Sequence, residues 1–452
     1  MRDQSSIHGN ESVGRVRFQH GSPANVIVLV GGSEIKRKLF ESHIEALAYK
    51  QYGIVHLTAT QGLSVLRKSG ISEGIDGWDP TVDIHKIAQR FRITAVVPMI
   101  DSVVDKCDAV CVELNLKANS PLTSFRRVDK GFMHESLASA SLPNALTVRV
   151  STTDEALRVW KEVFQERPTV LKPPRSGGCD GVVTCRSEAD ISEYMHRYHN
   201  KFNIERLINS EIVVQKRLEM NAELVLNSVS VEGQHFFTDV WKSGSKATGS
   251  FFTYGTQELL TDLTPYLAVV DYVRKVLTAL DVGYGACHTE VAVNISELGV
   301  VTDFCLIEVN PRIAGEIRTD CLTDKTIYDQ IYWLLMSIVE PQRFLVEAPR
   351  VVERSRPNTD HKVVAVFLKS PLVRCRLSKE ALLEIQKLPS FNRFGRALSF
   401  LNDKSHAERE IYASRTDGLL TCPGVVLLVG PTAHADTSTI RGLETNSLYS
   451  HA

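Results

Sequence analysis

The sequence lacks the features that mark a membrane or secreted protein. No run of about 18 apolar residues occurs, which excludes an ordinary transmembrane helix. The first residues are polar and contain no apolar signal-peptide core, so we expect a disordered lead-in over 1–22. The nine cysteines are odd in number and irregularly spaced, which argues against a disulfide framework and favours a reducing cytoplasm. No membrane partner is predicted.

The sequence also has almost no net charge. Its 52 Lys and Arg residues balance 53 Asp and Glu residues, so no overall field favours nucleic acid as a partner. The closest cysteine pair, Cys107 and Cys111, has no second pair or His-x-His partner, and we interpret it as one face of a helix rather than a zinc site. Hydrophobic residues make up 43% of the 452 positions, an ordinary balance for two to four globular domains. Small-molecule chemistry is the favoured class of function.

The first ordered region shows a β-α-β rhythm. The run Asn25–Val30 is apolar and ends in two glycines, which is typical of a strand buried on both faces of a parallel sheet. Helical and strand-like patterns then alternate over 34–50, 54–58, 81–91 and 94–100. We predict a doubly wound parallel-sheet α/β domain over 23–125. The spacing G-x-G-x-x-G is missing, which argues against an NAD-dependent oxidoreductase.

The rest of the chain mixes helical and strand patterns. Amphipathic helices are predicted over 129–140, 151–164 and 264–280. Strands are predicted over 224–231 and 235–241, with Glu232-Gly233 as the hairpin turn between them. Two further strands, 363–369 and 425–429, indicate an α+β C-terminal lobe over 351–452. The whole chain is therefore predicted to be an α/β and α+β multidomain protein.

The most informative stretch runs from 288 to 312, where two strand-like runs flank a turn. An antiparallel hairpin centred near residue 299 would place Glu290 opposite Glu308 and His288 opposite Asn310. Alternation along a strand then brings these four side chains and Arg312 to one face. Two carboxylates that close repel each other unless cations lie between them, and hard oxygen ligands suit magnesium. The stretch predicts a phosphoryl-transfer site; the alternative is an ordinary hairpin with a charged solvent face.

A second signal is a glycine-rich loop between two short strands. The strand 169–172 delivers Lys172, and Gly177, Gly178 and Gly181 follow before the chain returns as a strand. Backbone N–H groups of such a loop could cover phosphates while Lys172 reaches their oxygens. The order differs from the Walker A motif, in which the lysine follows the glycines and precedes a helix.

These residues resemble the ATP-grasp superfamily, in particular the branch of carboxylate-amine ligases that contains bacterial L-amino acid ligases, which are dipeptide synthetases. The resemblance is strongest over 129–319, and its most specific element is Glu308-Val-Asn-Pro-Arg312 with His288-x-Glu290 upstream. It implies a two-lobed ATP-grasp domain over 126–350 with a mobile lid at about 142–208. ATP and two Mg²⁺ ions, for which Mn²⁺ could substitute, would be the cofactors. Amino acids would be the substrates, and the family expectation for assembly is a homodimer.

The resemblance also implies roles for single residues. Glu290, Glu308 and Asn310 would ligate magnesium, and Arg312, Lys172 and His288 would be catalytic. His288, Arg312, Gly315 and Glu316 would line the substrate pocket. ATP would be bound by Lys130, Lys172, Ser176, Gly177, Gly178, Gly181, Gln215, Leu218 and Glu223. The sequence departs from the family pattern at Gln215, where an acid is usual, and by one extra residue before Glu223.

The implied reaction turns a carboxylate into an acyl phosphate that an amine then attacks, with release of ADP and phosphate. Two alternatives stay open. The first is an ATP-grasp carboxylase or purine-type ligase with an acceptor that is not an amino acid. The second is a non-catalytic nucleotide-binding regulator, against which the paired carboxylates argue because a binding module does not need them.

Overall fold

The computed structural model describes residues 25–58, 79–244, 247–248, 251–253, 255–315, 329–352, 362–395, 398, 401–402, 411–416 and 421–451. They form a mixed α/β protein with several sheets. The predicted lead-in 1–22 and the candidate pocket residue Glu316 lie outside the described residues. No helix within those ranges is long and apolar enough to cross a membrane.

The N-terminal part is a parallel sheet with helices on both faces. Its strands and helices follow in chain order as β1 (Asn25–Val30), α1 (Glu34–Ala46), β2 (Tyr52–Leu57), α2 (Thr81–Ala88), β3 (Arg92–Pro98) and α3 (Val104–Glu113). Strand β1 lies between β2 and β3 and pairs with both in parallel. Alternate residues of β1 pack on opposite sides, Ile27 beneath α1 and Val28 beneath α2 and α3, which explains its continuous apolar run.

The two cysteines of α3 belong to this core. Cys107 and Cys111 are both buried on the helix face that packs against the sheet. Burial raises the pKa of the Cys111 thiol to about 12, which disfavours the thiolate that a metal requires. The interpretation of the pair as one face of a helix is therefore confirmed.

The next part of the chain builds a separate sheet that carries the glycine-rich loop. Its elements are α4 (Phe125–Val128), α5 (Lys130–Ser139), β4 (Thr147–Val150), α6 (Thr153–Glu162), β5 (Thr169–Lys172), β6 (Val183–Cys185), α7 (Glu188–Tyr198) and β7 (Ile212–Lys216). Side-chain caps begin the helices: Asp129 accepts from the first turn of α5 and Thr152 from that of α6. Helices α6 and α7 cover one face of the sheet and bury Trp160 and Tyr194.

A long antiparallel sheet follows and carries the predicted hairpin. Its first strands are β8 (Ala222–Val231) and β9 (Gln234–Gly244), joined by Glu232 and Gly233 at φ 52° and 75°, the left-handed pair that a two-residue hairpin turn requires. Strands β10 (Ala247–Thr248) and β11 (Phe251–Phe252) extend the glycine-loop sheet, which has the order β10-β11-β6-β5-β7-β4. The chain then returns through β12 (Thr256–Leu259), α8 (Leu267–Ala279), β13 (Gly285–Ile295) and β14 (Val301–Asn310).

The last part of the chain completes this sheet. Its elements are α9 (Gln330–Val339), α10 (Pro341–Val352), β15 (Val363–Phe367), β16 (Arg374–Leu377), α11 (Lys379–Gln386), β17 (Phe391–Gly395), β18 (Tyr412–Ser414), β19 (Val425–Val429), α12 (Ala433–Asn446) and β20 (Tyr449–His451). Within the described ranges the large sheet has eight strands in the order β14-β13-β8-β9-β12-β15-β19-β17. Helix α9 packs between it and the N-terminal sheet through Trp333 and its neighbours.

Candidate active site

The hairpin β13-β14 pairs its polar residues as the sequence predicts. Glu290 lies directly opposite Glu308, and His288 lies directly opposite Asn310. Glu290 is 7% exposed and the Glu308 side chain is 14% exposed, so the carboxylates are largely out of water. Asn310 Nδ2 donates a hydrogen bond to Glu308 Oε1 over 3.1 Å. The pair is a concentration of negative charge that requires nearby cations.

A β-bulge shapes the same hairpin next to Glu308. The register shifts between Glu290 and Val291, because Val291 pairs with Leu306 and leaves Ile307 as an extra residue on β14. Both Ile307 and Glu308 consequently line one cavity. The bulge thus places the apolar side chain of Ile307 in the cavity beside Glu308, a candidate magnesium ligand.

Lys130 supplies a cation to the carboxylates. It is the first residue of α5, and its Nζ lies 2.9 Å from Glu308 Oε2 and donates to the carbonyl of Ser176 at 2.7 Å. Burial alone would lower the pKa of Lys130, but Glu308, Asp101 and Glu290 outweigh it and hold this pKa above its usual value. Burial alone would raise the pKa of Glu308, but the charge and the hydrogen bond of Lys130 hold this pKa below its usual value.

Lys172 lies at the end of β5 and is 4% exposed. Burial, reinforced by the charge on Lys130, lowers the pKa of Lys172 to about 8. The two lysines therefore repel each other, and a polyanion placed between them would relieve this repulsion. A nucleotide polyphosphate is such an anion.

The glycine-rich loop follows the end of β5, and its first glycine is Gly177, five residues beyond Lys172. Gly178 and Gly181 adopt φ values of 65° and 66°, which favour glycine. Asp180 holds the loop by accepting hydrogen bonds from Ser176 Oγ and from the backbone N–H of Ile204, each over 3.0 Å. The loop thus has a defined conformation that faces Lys130.

A cavity of about 500 Å³ lies between the glycine-rich loop and the hairpin. A cavity of this volume can hold a nucleotide. Ten of the predicted residues line it: Lys130, Lys172, Ser176, Gly177, Gly178, Gln215, Leu218, Glu223, Glu290 and Glu308. The remaining walls include apolar side chains such as Val170, Ala292 and Ile307, which provide contacts for a flat base.

The donor set suits magnesium better than a softer metal. Two carboxylates line the cavity and the Asn310 amide lies beside Glu308, so oxygen ligands are at hand, and Cys179 of the loop is the one cysteine in the described lining. The part of the chain that the structure describes contains no group of three or more His, Cys, Asp or Glu side chains placed to hold a metal ion. Glu290 and Glu308 would therefore share the ion with Asn310, nucleotide phosphates and water, as is usual for Mg²⁺.

Arg312 leaves the hairpin and meets the N-terminal part of the chain. Its Nε and Nη2 both lie 2.8 Å from Asp101 Oδ2, just beyond the carboxyl end of β3. The second oxygen, Asp101 Oδ1, is buried and has no hydrogen-bond partner. An unpaired buried carboxylate oxygen is costly, so this atom marks a place where a ligand can donate.

Contacts at both ring nitrogens hold the His288 side chain in place. Its Nδ1 lies 2.8 Å from Asn227 Oδ1, and its Nε2 lies 3.3 Å from Glu290 Oε1. The ring is 6% exposed and therefore has little freedom to rotate. It stands beside the carboxylates rather than in the nucleotide-sized cavity.

Comparisons with known proteins show what the chain is similar to. No protein-family model matches the chain. Dapdiamide A synthase of Enterobacter agglomerans is 27% identical over 347 residues, 75% of this chain and 76% of that protein. An L-amino acid ligase from Bacillus licheniformis superposes with a TM-score of 0.66 at 14% identity, covering 96% of this chain and 100% of that one. An N5-carboxyaminoimidazole synthase from Aspergillus clavatus, crystallised with ADP, superposes with a TM-score of 0.61 at 14% identity, covering 93% and 98%.

The chain shares its fold with these two solved structures. The resemblance to ATP-dependent carboxylate-amine ligases that the sequence predicts is confirmed. The 500 Å³ cavity is not lined by every predicted residue. Gly181 belongs to the loop but does not line the cavity, and Gly315 is exposed at the end of the described segment. Gln215 lines the cavity, and its side-chain amide also donates a hydrogen bond to Thr147 Oγ1 over 2.8 Å within the glycine-loop sheet.

Asp101 and Ile307 are among the residues of this site that the sequence does not predict. Asp101 has a signal, because it follows a buried parallel strand at the edge where ligands bind in such sheets. Ile307 has none, because its place in the cavity depends on a bulge.

Proposed function

We propose that the protein is an ATP- and Mg²⁺-dependent ligase that joins the carboxylate of one amino acid to the amine of a second, releasing ADP and phosphate. The observation that carries the proposal is the direct opposition of Glu290 and Glu308 beside two buried lysines. The similarity in fold to an L-amino acid ligase supports the choice of amino acids as substrates. The predicted enzyme class agrees with the functions of these relatives.

The binding roles follow from the geometry. Lys130 and Lys172 would face the phosphates, with backbone N–H groups of the glycine-rich loop above them. Glu290, Glu308 and Asn310 would hold magnesium, which supplies Lewis-acid stabilisation of the transferring phosphoryl group. Asp101 Oδ1, buried and without a partner, offers an acceptor for an ammonium or amine group.

The reaction would proceed in two displacements. A carboxylate oxygen attacks the γ-phosphorus and ADP leaves, with Lys172 and Arg312 stabilising the charge on the transferring oxygens. The amine nitrogen then attacks the carbonyl carbon, phosphate leaves, and the nitrogen loses a proton. Water would hydrolyse the acyl phosphate, so the glycine-loop sheet must close over it. In this structure Arg175 of that loop pairs with Asp105 of α3 over 3.0 Å, a contact that bridges the two sides of the site.

We also propose the domain division 23–125, 126–350 and 351–452, with a mobile lid at about 142–208. The separate sheet β10-β11-β6-β5-β7-β4 supports a lid, although its strands β7, β10 and β11 lie beyond residue 208. Strands β15, β17 and β19 continue the central sheet, so the C-terminal lobe would be joined to the ATP-grasp domain by strand pairing. A homodimer and a cytoplasmic location stay predictions, which light scattering and cell fractionation would test.

The test is phosphate release from ATP and Mg²⁺ across pairs of amino acids, with mass analysis of the products. We expect release that depends on two amino acids and yields a condensed product with ADP. Glu308→Ala should reduce it by more than about a hundredfold, whereas Glu297→Ala, an exposed glutamate in the turn of the same hairpin, should not. ATP turnover that depends on aminoimidazole ribonucleotide rather than on amino acids would favour the purine-type alternative. ATP binding without turnover for any pair would contradict the dipeptide assignment.

A further inference from the structure

A row of buried polar side chains crosses the central sheet beside the candidate active site. His288 pairs with Asn310 on one side and with Asn227 on the other, and Asn227 pairs in turn with Asp239. The four residues belong to adjacent strands β14, β13, β8 and β9 and lie directly opposite one another. Directly paired residues project to the same face of a sheet, so the row forms a continuous line of polar groups.

Hydrogen bonds connect the row from Asp239 to His288. Asn227 Nδ2 donates to Asp239 Oδ1 over 2.5 Å, and Asn227 Oδ1 lies 2.8 Å from His288 Nδ1. Asp239 also accepts from Trp241 Nε1 over 2.5 Å and from Thr238 Oγ1 over 2.8 Å. Asn227 is 0% exposed and Asp239 is 2% exposed, so water does not compete for these contacts.

The chemistry of the groups sets the direction of the chain. The Asp239 carboxylate has only acceptor atoms, so the Asn227 amide must turn its NH₂ group toward Asp239. The amide oxygen of Asn227 then faces His288, and an oxygen acceptor requires that His288 Nδ1 carry the hydrogen. His288 Nε2 is consequently directed at the carboxylates, 3.3 Å from Glu290 Oε1.

Packing alone does not explain such a row. In the neighbouring row, Val225 of β8 pairs with Glu290 on one side and with Trp241 on the other. An apolar side chain therefore fits on β8 directly beside a carboxylate. A buried Asp-Asn pair costs desolvation energy that apolar residues of similar size would not. The row is therefore expected to serve the group at its end.

We propose that Asn227 and Asp239 are positioning residues that hold the His288 ring so that Nε2 faces the reacting amine. This inference rests on the proposed ligase function, in which an amine must approach the carbonyl carbon beside Glu290. In this role Asp239 acts through Asn227, and Asn227 acts through His288. Loss of either residue should therefore impair use of the amine and leave nucleotide binding nearly unchanged, because neither residue lines the 500 Å³ cavity.

The activity test compares Asp239→Asn and Asn227→Leu with the wild type in the full chain. Both variants nearly preserve side-chain volume. We expect kcat with saturating amino acids to fall, and KM for the amine to rise, by about tenfold, as for other outer partners that orient a functional histidine. KM for ATP should change by less than about twofold. Asp303→Asn, the same substitution at an exposed position of β14, is the matched control and should leave all three constants unchanged. Equal changes in the constants for ATP and for the amine would overturn the proposal.

A second measurement does not depend on the substrates. In protein labelled with ¹⁵N-histidine, His288 should show a slowly exchanging Nδ1–H proton, identified by its loss in His288→Gln. This signal should disappear in Asn227→Leu and exchange faster in Asp239→Asn, while the Mg²⁺-ATP-induced rise in Tm shows that both variants are folded. A signal that is absent from the wild type, or unchanged in both variants, would overturn the proposal. Absence of amino-acid turnover in the wild type with the signal behaving as expected would contradict the ligase function instead.

Discussion

The two buried lysines of the site differ in what surrounds their charge. Lys130 lies 2.9 Å from the Glu308 carboxylate, which keeps its pKa high despite burial. Lys172 is more enclosed, at 4% exposure, and burial and Lys130 together lower its pKa to about 8. The positive charge of Lys130 is therefore balanced by the protein itself. The charged form of Lys172 is stabilised most when a ligand brings negative charge.

This difference predicts proton uptake when ATP binds. Phosphate charge favours the protonated form of Lys172 and raises its pKa, so above the nucleotide-free value of about 8 the complex must take up a proton. At about pH 9 we expect up to about one proton per site, and at about pH 6.5 none from this lysine, because it is already charged. Calorimetry of Mg²⁺-ATP binding in buffers of different ionisation enthalpy measures the number. Lys172→Met should abolish the uptake at the higher pH; equal uptake by this variant would contradict the assignment.

The glycine-rich loop illustrates how one element depends on backbone conformation. Gly181 has φ +66°, and a Cβ there would lie 3.0 Å from the ring of Pro173. Its carbonyl also accepts a hydrogen bond from Tyr194 Oη over 2.7 Å. Gly177 is different, because a Cβ there would meet only the carboxylates of Glu205 and Asp101 at 3.6 and 3.7 Å, which is ordinary contact.

We therefore predict unequal effects of adding one methyl group to this loop. Gly181→Ala forces a left-handed alanine against Pro173, which costs about 1–3 kcal/mol and should lower ATP affinity by roughly tenfold or more. Gly177→Ala keeps the loop conformation and should have a smaller effect. Titration of each variant with ATP and Mg²⁺ compares them. Equal affinities in the two variants would show that the loop does not hold the nucleotide in this conformation.

The hairpin shows how far an element can be predicted from the sequence. The pairs Glu290-Glu308 and His288-Asn310 follow from alternation and an assumed turn centre, and both are present. The closing pair, Ile295 with Val301, is nevertheless centred one residue earlier than predicted, and two one-residue bulges on β14 restore the register. A regular hairpin with this turn would place Leu306 opposite Glu290. Bulges arise from packing against distant strands, so neither they nor the placement of Ile307 can be predicted from local patterns.

The whole molecule joins regions that the sequence pattern separates. The strands β15, β17 and β19 lie within the predicted C-terminal α+β lobe, and they extend the sheet that carries the hairpin. Helix α9 packs against both this sheet and the N-terminal sheet, with Trp333 in the shared core. Periodicity identifies each strand and helix, but the choice of strand partners depends on contacts between residues far apart in sequence. The same limit applies to Asp101 and Arg312, which meet across 211 positions.

One buried contact joins α1, which packs on the N-terminal sheet, to the start of α9. Its contribution to the free energy of unfolding can be measured. His43 Nε2 of α1 lies 2.6 Å from Asp329 Oδ2, while the other oxygen of Asp329 accepts from the first turn of α9. Their side chains are 7% and 2% exposed. His43→Ala leaves a buried carboxylate oxygen without this partner and should lower the free energy of unfolding by about 2 kcal/mol.

The matched pair is His85 with Glu113, at 2.9 Å but 43% and 55% exposed. Water replaces the lost partner there, so His85→Ala should cost less than about 0.5 kcal/mol. Urea unfolding of both variants gives the comparison. If the two changes cost the same, the His43 contact contributes no more to stability than an exposed pair does. If His43→Ala is the more costly, the buried contact at the N-terminal cap of α9 helps to hold the N-terminal sheet against this helix.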